Sequence, residues 1–171
     1  MNIALIGFRG TGKTTIARLL ARKLDKKFIS TDQEIEKKTK MPIGKFVKKC
    51  GWDKFREVES DVIEYISDFD DCIFDTGGGI VMRNENIINL KKNALIVLLT
   101  ADIKTITNRL KNSKERPALT KRGNYLDEIK DVLQEREERY KKAADYTIDT
   151  SRLKPEEACD LIMHYIQMEL Q

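Results

Sequence analysis

The chain has 171 residues, 40% hydrophobic and 35% charged, a balance that suits one domain with a real core and excludes a disordered tail. Lys plus Arg number 32 against 28 Asp plus Glu, a net charge of +4 whose signs interleave rather than gather into the basic stripe of a nucleic-acid binder. No apolar run approaches the roughly 20 residues of a membrane span, and three scattered cysteines without a CxxC pair argue against a disulfide or zinc scaffold. The opening residues lack the pattern of a signal peptide, so the expected setting is the reducing cytoplasm.

Asn2–Ile6 is an apolar run that stops at Gly7 and reads as a strand. Ile16, Leu19, Leu20 and Leu24 recur at helical spacing over 14–24. Phe28 and Ile29 mark a brief second strand. Residues 32–66 are mostly helical in pattern, broken around Met41-Pro42 and Cys50-Gly51, with Trp52, Phe55, Val62, Ile63 and Ile66 on one face of the last piece. Cys72–Asp75 is a third strand, closed by Gly77, Gly78 and Gly79. The continuous aliphatic run 94–99 fits a strand covered on both faces. Ile103, Ile106 and Leu110 mark a helix, 126–144 a long charged helix, 146–148 a fifth strand, and 155–170 a closing helix that starts at Pro155. Strands alternating with helices predict an α/β domain, a parallel sheet with helices on both faces. Residues 112–124 offer little to bury and read as a mobile loop over a site.

Gly7-Phe8-Arg9-Gly10-Thr11-Gly12-Lys13-Thr14 matches GxxxxGK[ST], with a strand before it and an amphipathic helix after it. Glycines let backbone N–H groups turn toward phosphate oxygens, and the helix N-terminus adds partial positive charge. Lys13 is suited to the β- and γ-phosphates and the Thr14 hydroxyl to Mg²⁺. Gly10, Thr11, Gly12, Lys13, Thr14 and Thr15 are the expected binding residues for a nucleoside triphosphate with Mg²⁺. No NKxD segment that reads guanine is present, which disfavours a GTPase. Cys50, Cys72, Cys159 and His164 read as buried or half-buried filler, and Trp52 with Phe55 as core.

Four further clusters follow the phosphate loop: 28–36 with Asp32, 55–59 with Arg56 and Glu59, the triple glycine, and 116–119 with Arg116-Pro117; a fifth pairs Arg136 with Tyr140. In this order and spacing they resemble shikimate kinase over nearly the whole chain. The resemblance implies a three-layer α/β/α fold with a five-stranded parallel sheet, formed by a single domain over 1–171. It also implies a substrate-binding helical insertion at about 32–61 and a flexible lid at about 112–124. It implies transfer of a phosphoryl group from ATP to the 3-hydroxyl of shikimate, with Mg²⁺. By position, Lys13, Asp32 and Arg116 are then the catalytic groups, with Asp32 as base and Arg116 on the transferring phosphate. Arg56 and Arg136 would hold the carboxylate, Glu59 would orient Arg56, Gly77, Gly78 and Gly79 would contact substrate, and Arg109 would pack on adenine. Two forked guanidinium groups suit a carboxylate, and an acid three positions after Arg56 shares its helical face.

One departure stands out. Shikimate kinases usually carry an acid at the position of Ser30, where it helps hold Mg²⁺, whereas here an acid ends the third strand as Asp75. Thr14 and Asp75 are therefore the expected metal residues. The partners expected are shikimate alone, with neither nucleic acid nor membrane, for a monomer in the cytoplasm. Another kinase of the same fold, acting on gluconate or a nucleoside monophosphate, stays open at this point. So does an ATP-responsive binding module without turnover.

Overall fold

In a computed structural model describing residues 1–111 and 125–169, the strands are β1 (Asn2–Ile6), β2 (Lys27–Ser30), β3 (Cys72–Asp75), β4 (Ala94–Thr100) and β5 (Tyr146–Asp149). They form one parallel sheet in the order β2-β3-β1-β4-β5. The helices are α1 (Lys13–Lys23), α2 (Thr31–Thr39), α3 (Ile43–Ser67), α4 (Asn84–Lys91), α5 (Ile103–Lys111), α6 (Tyr125–Ala143) and α7 (Pro155–Glu169). The α/β three-layer fold expected from the sequence is present. The lid expected at about 112–124 lies outside the described residues.

Side chains on a strand alternate between faces, and here both faces are covered. Ile3, Leu5, Ile73, Leu95, Val97 and Leu99 pack against α1 and α7 through Ile16, Leu20, Cys159 and Ile162. Ala4, Ile6, Phe74, Ile96 and Leu98 pack on the other face against Val62, Ile63 and Ile66 of α3, Leu90 of α4 and Tyr140 of α6. This two-sided cover explains the unbroken aliphatic reading of β4 and the complete burial of β1. A third, smaller cluster joins Phe8 to Ile106 and Leu110 of α5 and Ile129 and Val132 of α6.

Two local features differ from the sequence reading, α4 and the exposure of Cys50 and His164. Helix α4 was not expected: it is short, and one of its buried positions is Asn86, whose Nδ2 donates to the Ile80 carbonyl at 3.0 Å, so its apolar period is hidden. The break expected at Cys50-Gly51 is present within α3, since Gly51 (φ 84°, ψ 167°) leaves helical geometry and a second helical stretch follows it. Cys50 and His164 are exposed, on α3 and α7, while Cys72 and Cys159 are buried. Among the described residues no helix is long and apolar enough to cross a membrane.

The tightest steric demand falls where β1 ends. Gly7 has φ 139°, and a Cβ there would lie 2.2 Å from the Leu99 carbonyl oxygen of β4, well inside contact distance. Both the backbone angle and the neighbouring strand thus demand glycine at the mouth of the following loop. Gly7→Ala is expected to cost about 3 kcal/mol of stability, a fall in Tm of roughly 6–12 °C. Calorimetry checks it; an unchanged Tm would mean that the end of β4 moves aside freely.

Candidate active site

All five strands point one way, so the segments leaving their C-terminal ends gather along one edge, where open α/β sheets hold ligands. After β1 the chain turns into α1, whose N-cap Gly12 makes no side-chain cap bond. The first turn of α1 carries no acidic residue, which leaves its amide groups to an anion. Lys13 Nζ donates to the carbonyls of Gly7 at 2.8 Å and Phe8 at 2.9 Å, and Thr11 Oγ1 donates to Phe8 O at 2.8 Å.

A cavity of about 540 Å³ opens on Gly10, Thr11, Gly12, Lys13, Thr14 and Thr15, and on Arg109, Thr150 and Pro155. Arg109 enters from α5; its Nη1 donates to Gly10 O and to Thr150 Oγ1, both at 3.1 Å, and its Nη2 to Thr150 O at 2.9 Å. Thr150, just past β5, donates its own hydroxyl to Thr11 O at 2.8 Å. It thereby ties the far end of the sheet to the phosphate loop. Nothing in the sequence singled it out, because one threonine after a short strand makes no pattern.

Beside this cavity lies a larger one of about 760 Å³, reached by Phe8 and Arg9 of the same loop. It brings together Asp32 from α2, Arg56 and Glu59 from α3, Gly77, Gly78 and Gly79 from the turn after β3, and Arg136 from α6. Trp52 and Phe55 line its wall, so the pair expected as core also faces the cavity. The Arg56 guanidinium carbon sits 5.1 Å from the Phe55 ring centroid and 5.4 Å from that of Trp52. This is cation–π distance.

Arg56 Nη1 donates to Glu59 Oε2 at 2.7 Å, three positions on along the helix, and Glu59 is 1% exposed. A Cβ at Gly79 would lie 2.0 Å from Arg56 Nη2, so the guanidinium rests directly on that glycine. Burial pushes the Glu59 carboxyl above its usual range, against the Arg56 charge and hydrogen bond that pull it down; Asp32 adds to the rise and Arg136 opposes it. Glu59 Oε1 and Arg136 Nε are buried without a hydrogen-bond partner among the described residues.

The glycine turn is held from several sides. Thr31 Oγ1 accepts from Gly77 N–H at 3.0 Å, and Thr76 Oγ1 donates to Leu5 O at 2.8 Å. Gly78 O accepts from Arg136 Nη1 at 2.9 Å and also from the Tyr140 hydroxyl.

Asp75 ends β3 and lines neither cavity, but alternation fixes its side. Ile73, two residues before it, packs in the α1 cluster, so Asp75 faces α1 at the level of the loop. Ser30 ends β2 directly opposite, on the same face as Phe28, and caps α2 by accepting from Gln33 N–H at 3.4 Å. Asp75 is 7% exposed and its carboxylate takes no hydrogen bond or ion pair among the described residues. Arg116 lies outside the described residues.

A family model described as "Shikimate kinase" matches residues 9–167. The shikimate kinase of Pelotomaculum thermopropionicum is 39% identical over 166 residues, covering 97% of this chain and 95% of that protein. The one from Thermodesulfovibrio yellowstonii is 43% identical over 162 residues, covering 95% and 92%. Among solved structures, shikimate kinase from Acinetobacter baumannii in complex with shikimate superposes with a TM-score of 0.92 at 32% identity, covering 98% of this chain and 93% of that one.

The raised Glu59 carboxyl makes stability depend on pH. The folded protein holds this proton more tightly than the unfolded chain does, so the contribution is full below the unfolded value of about 4.5 and is lost as pH rises through the folded value. Relative to Glu59→Gln, the native protein is expected to lose stability as pH is raised from about 4.5 toward neutrality. Urea unfolding of both proteins measures the difference. A relative gain with rising pH would mean that the Arg56 charge outweighs burial.

Proposed function

The chain belongs to the shikimate kinase family and phosphorylates shikimate with ATP, and we propose that its two cavities divide that reaction between them. The product is shikimate 3-phosphate, a step of aromatic amino-acid biosynthesis. The observation that carries the assignment is that Arg56 and Arg136, from two separate helices, reach one cavity beside the phosphate loop. Two forked cations there suit the single carboxylate of shikimate.

In this reading ATP occupies the smaller cavity, its phosphates on the amides of Gly10, Thr11, Gly12, Lys13, Thr14 and Thr15 and its adenine against Arg109. Lys13 exchanges the carbonyls of Gly7 and Phe8 for phosphate oxygens when the nucleotide arrives. Shikimate occupies the larger cavity, its carboxylate on Arg56 and Arg136, with Glu59 fixing Arg56 and the turn of Gly77, Gly78 and Gly79 beneath the ring. Asp32 takes the proton of the 3-hydroxyl as that oxygen attacks the γ-phosphorus and the bond to the leaving oxygen of ADP breaks. Arg116 is assigned to the transferring phosphate by its match to the family pattern.

The residues present fit a magnesium ion. Mg²⁺ is a hard cation that prefers oxygen and a nearby carboxylate, direct or through its waters. Thr14 lies in the first turn of α1 and is exposed, and Asp75, buried and without a protein partner among the described residues, faces that helix. Ser30 stands beside Asp75 in the sheet register, so a carboxylate one strand over can serve where the usual acid is missing. When bound, Mg²⁺ neutralises charge between the β- and γ-phosphates. We also propose a cytoplasmic monomer without nucleic-acid or membrane partners, for which interleaved charge speaks only against nucleic acid. We further propose one domain with an insertion at about 32–61, for which the shared core clusters on the one sheet speak.

A transfer assay across shikimate, gluconate and the nucleoside monophosphates tests the acceptor assignment. Arg56→Lys keeps the charge and loses the fork. It is expected to raise KM for shikimate about 10- to 100-fold, from the 1.5–3 kcal/mol of a charged hydrogen bond, with KM for ATP nearly unchanged. Unaltered shikimate kinetics would remove Arg56 from the carboxylate site.

Asp75→Asn keeps shape and removes charge. It is expected to raise the Mg²⁺ concentration at which the metal strengthens ADP binding, read by calorimetric titration, and adding Ser30→Asp is expected to restore much of the loss. The same Mg²⁺ dependence in Asp75→Asn and the native protein would confine Asp75 to a structural part.

A further inference from the structure

Behind the larger cavity stands one polar group to which the reaction as assigned gives no task. Tyr140 follows Arg136 by one helical turn on α6, so the two side chains share a face. Its ring is 4% exposed and packs in the cluster of Phe74, Ile96 and Leu98, while its hydroxyl emerges at the glycine turn and donates to Gly78 O. Arg136 Nη1 donates to the same oxygen at 2.9 Å. A carbonyl oxygen has two lone pairs and can take both.

Two donors exceed what holding the turn requires. Gly77 N–H is already taken by Thr31, Thr76 is anchored to Leu5, and Ile80 N–H donates to Gly77 O at 3.2 Å. The excess has a use when Arg136 changes partner. Its guanidinium is largely buried, Nη1 is committed to Gly78 O, and Nε has no partner among the described residues. A carboxylate that draws the guanidinium further into the cavity, onto the N–H groups not used here, loosens the bond to Gly78. Without a second donor that move would strand a buried carbonyl, which costs more than the bond itself contributes.

We propose that Tyr140 is a positioning residue for shikimate: its hydroxyl keeps Gly78 O paired, so Arg136 can give up that bond to the incoming carboxylate. The inference rests on the assignment of Arg136 to the carboxylate. Burial, offset in part by the Arg136 and Arg56 charges, pushes the Tyr140 phenol up to about 12, so it stays a donor over the working pH range.

Tyr140→Phe removes only the hydroxyl and keeps the packed ring, and Gly78 O still accepts from Arg136 in the free protein, so the variant folds. It is expected to raise KM for shikimate about tenfold, with kcat changed less than about threefold and KM for ATP unchanged, as suits loss of one buried hydrogen bond felt on binding. The pH profile of kcat/KM should keep its shape. In an Arg136→Lys background the same substitution should cost clearly less, because the residue it releases is gone. An unchanged shikimate KM, an equal rise for ATP, or full additivity of the two substitutions would overturn the proposal. Arg136→Lys alone separates the two readings: if it leaves the shikimate KM unaltered, the carboxylate assignment fails, whereas a rise there with no effect of Tyr140→Phe overturns only the inference about Tyr140.

Discussion

Parallel pairing is the constraint on which the rest of the molecule depends. It sends every strand out at the same edge, so the order of strands becomes the order of functional groups along that edge. Asp32 follows β2, the glycine turn follows β3, the phosphate loop follows β1, and Thr150 follows β5. The groups assigned to shikimate thus lie to one side of the phosphate loop, with Arg109 and Thr150 to the other. The loop sits between them because β1 is the central strand. That placement requires β1 to be buried on both faces and Gly7 to pass under Leu99, where no other side chain fits.

The glycine turn is the second shared element. It receives Thr31 from the start of α2, a residue before Asp32, and Arg136 and Tyr140 from α6, while Arg56 of α3 lies across Gly79. Three helices thus meet on a few atoms of backbone, so a change in any of them alters the shape of the shikimate cavity. The lack of side chains here is what lets charged groups approach so closely. Arg56 is further fixed by Glu59 below and by the Trp52 and Phe55 rings beside it, which leaves its cation little freedom to lose on binding.

Much of this was readable in the chain before any coordinates. The phosphate loop is a run of adjacent residues with a known steric reason for each, and β1 and β4 are aliphatic because both faces are covered. Arg56, Glu59 and Arg136 stood out through their order after that loop, and the cavity collects them. What stayed hidden has a common cause. Thr150 itself, and the parts played by Thr31 and Tyr140 within clusters that do stand out, rest on pairing with a backbone group far away in sequence, which leaves no trace in residue type. Helix α4 is hidden in the sequence because Asn86 occupies a core position where the pattern calls for an aliphatic. The break within α3 is legible because Gly51 interrupts the helical pattern where its positive φ leaves helical geometry.

Gly78, on the wall of the larger cavity, also lies against the phosphate loop. Beyond the turn lie the Arg9 amide nitrogen and the Gly7 carbonyl of the phosphate loop, only 3.5 and 3.6 Å from where a Cβ on Gly78 would stand. Turn and loop therefore meet there backbone to backbone, at a glycine that has no side chain to absorb a displacement. In the proposed assignment, a shift of the turn on shikimate binding would pass directly to the phosphate loop. Coupling of this kind is symmetric in free energy: whatever factor one ligand lends to the affinity of the other, it receives back unchanged.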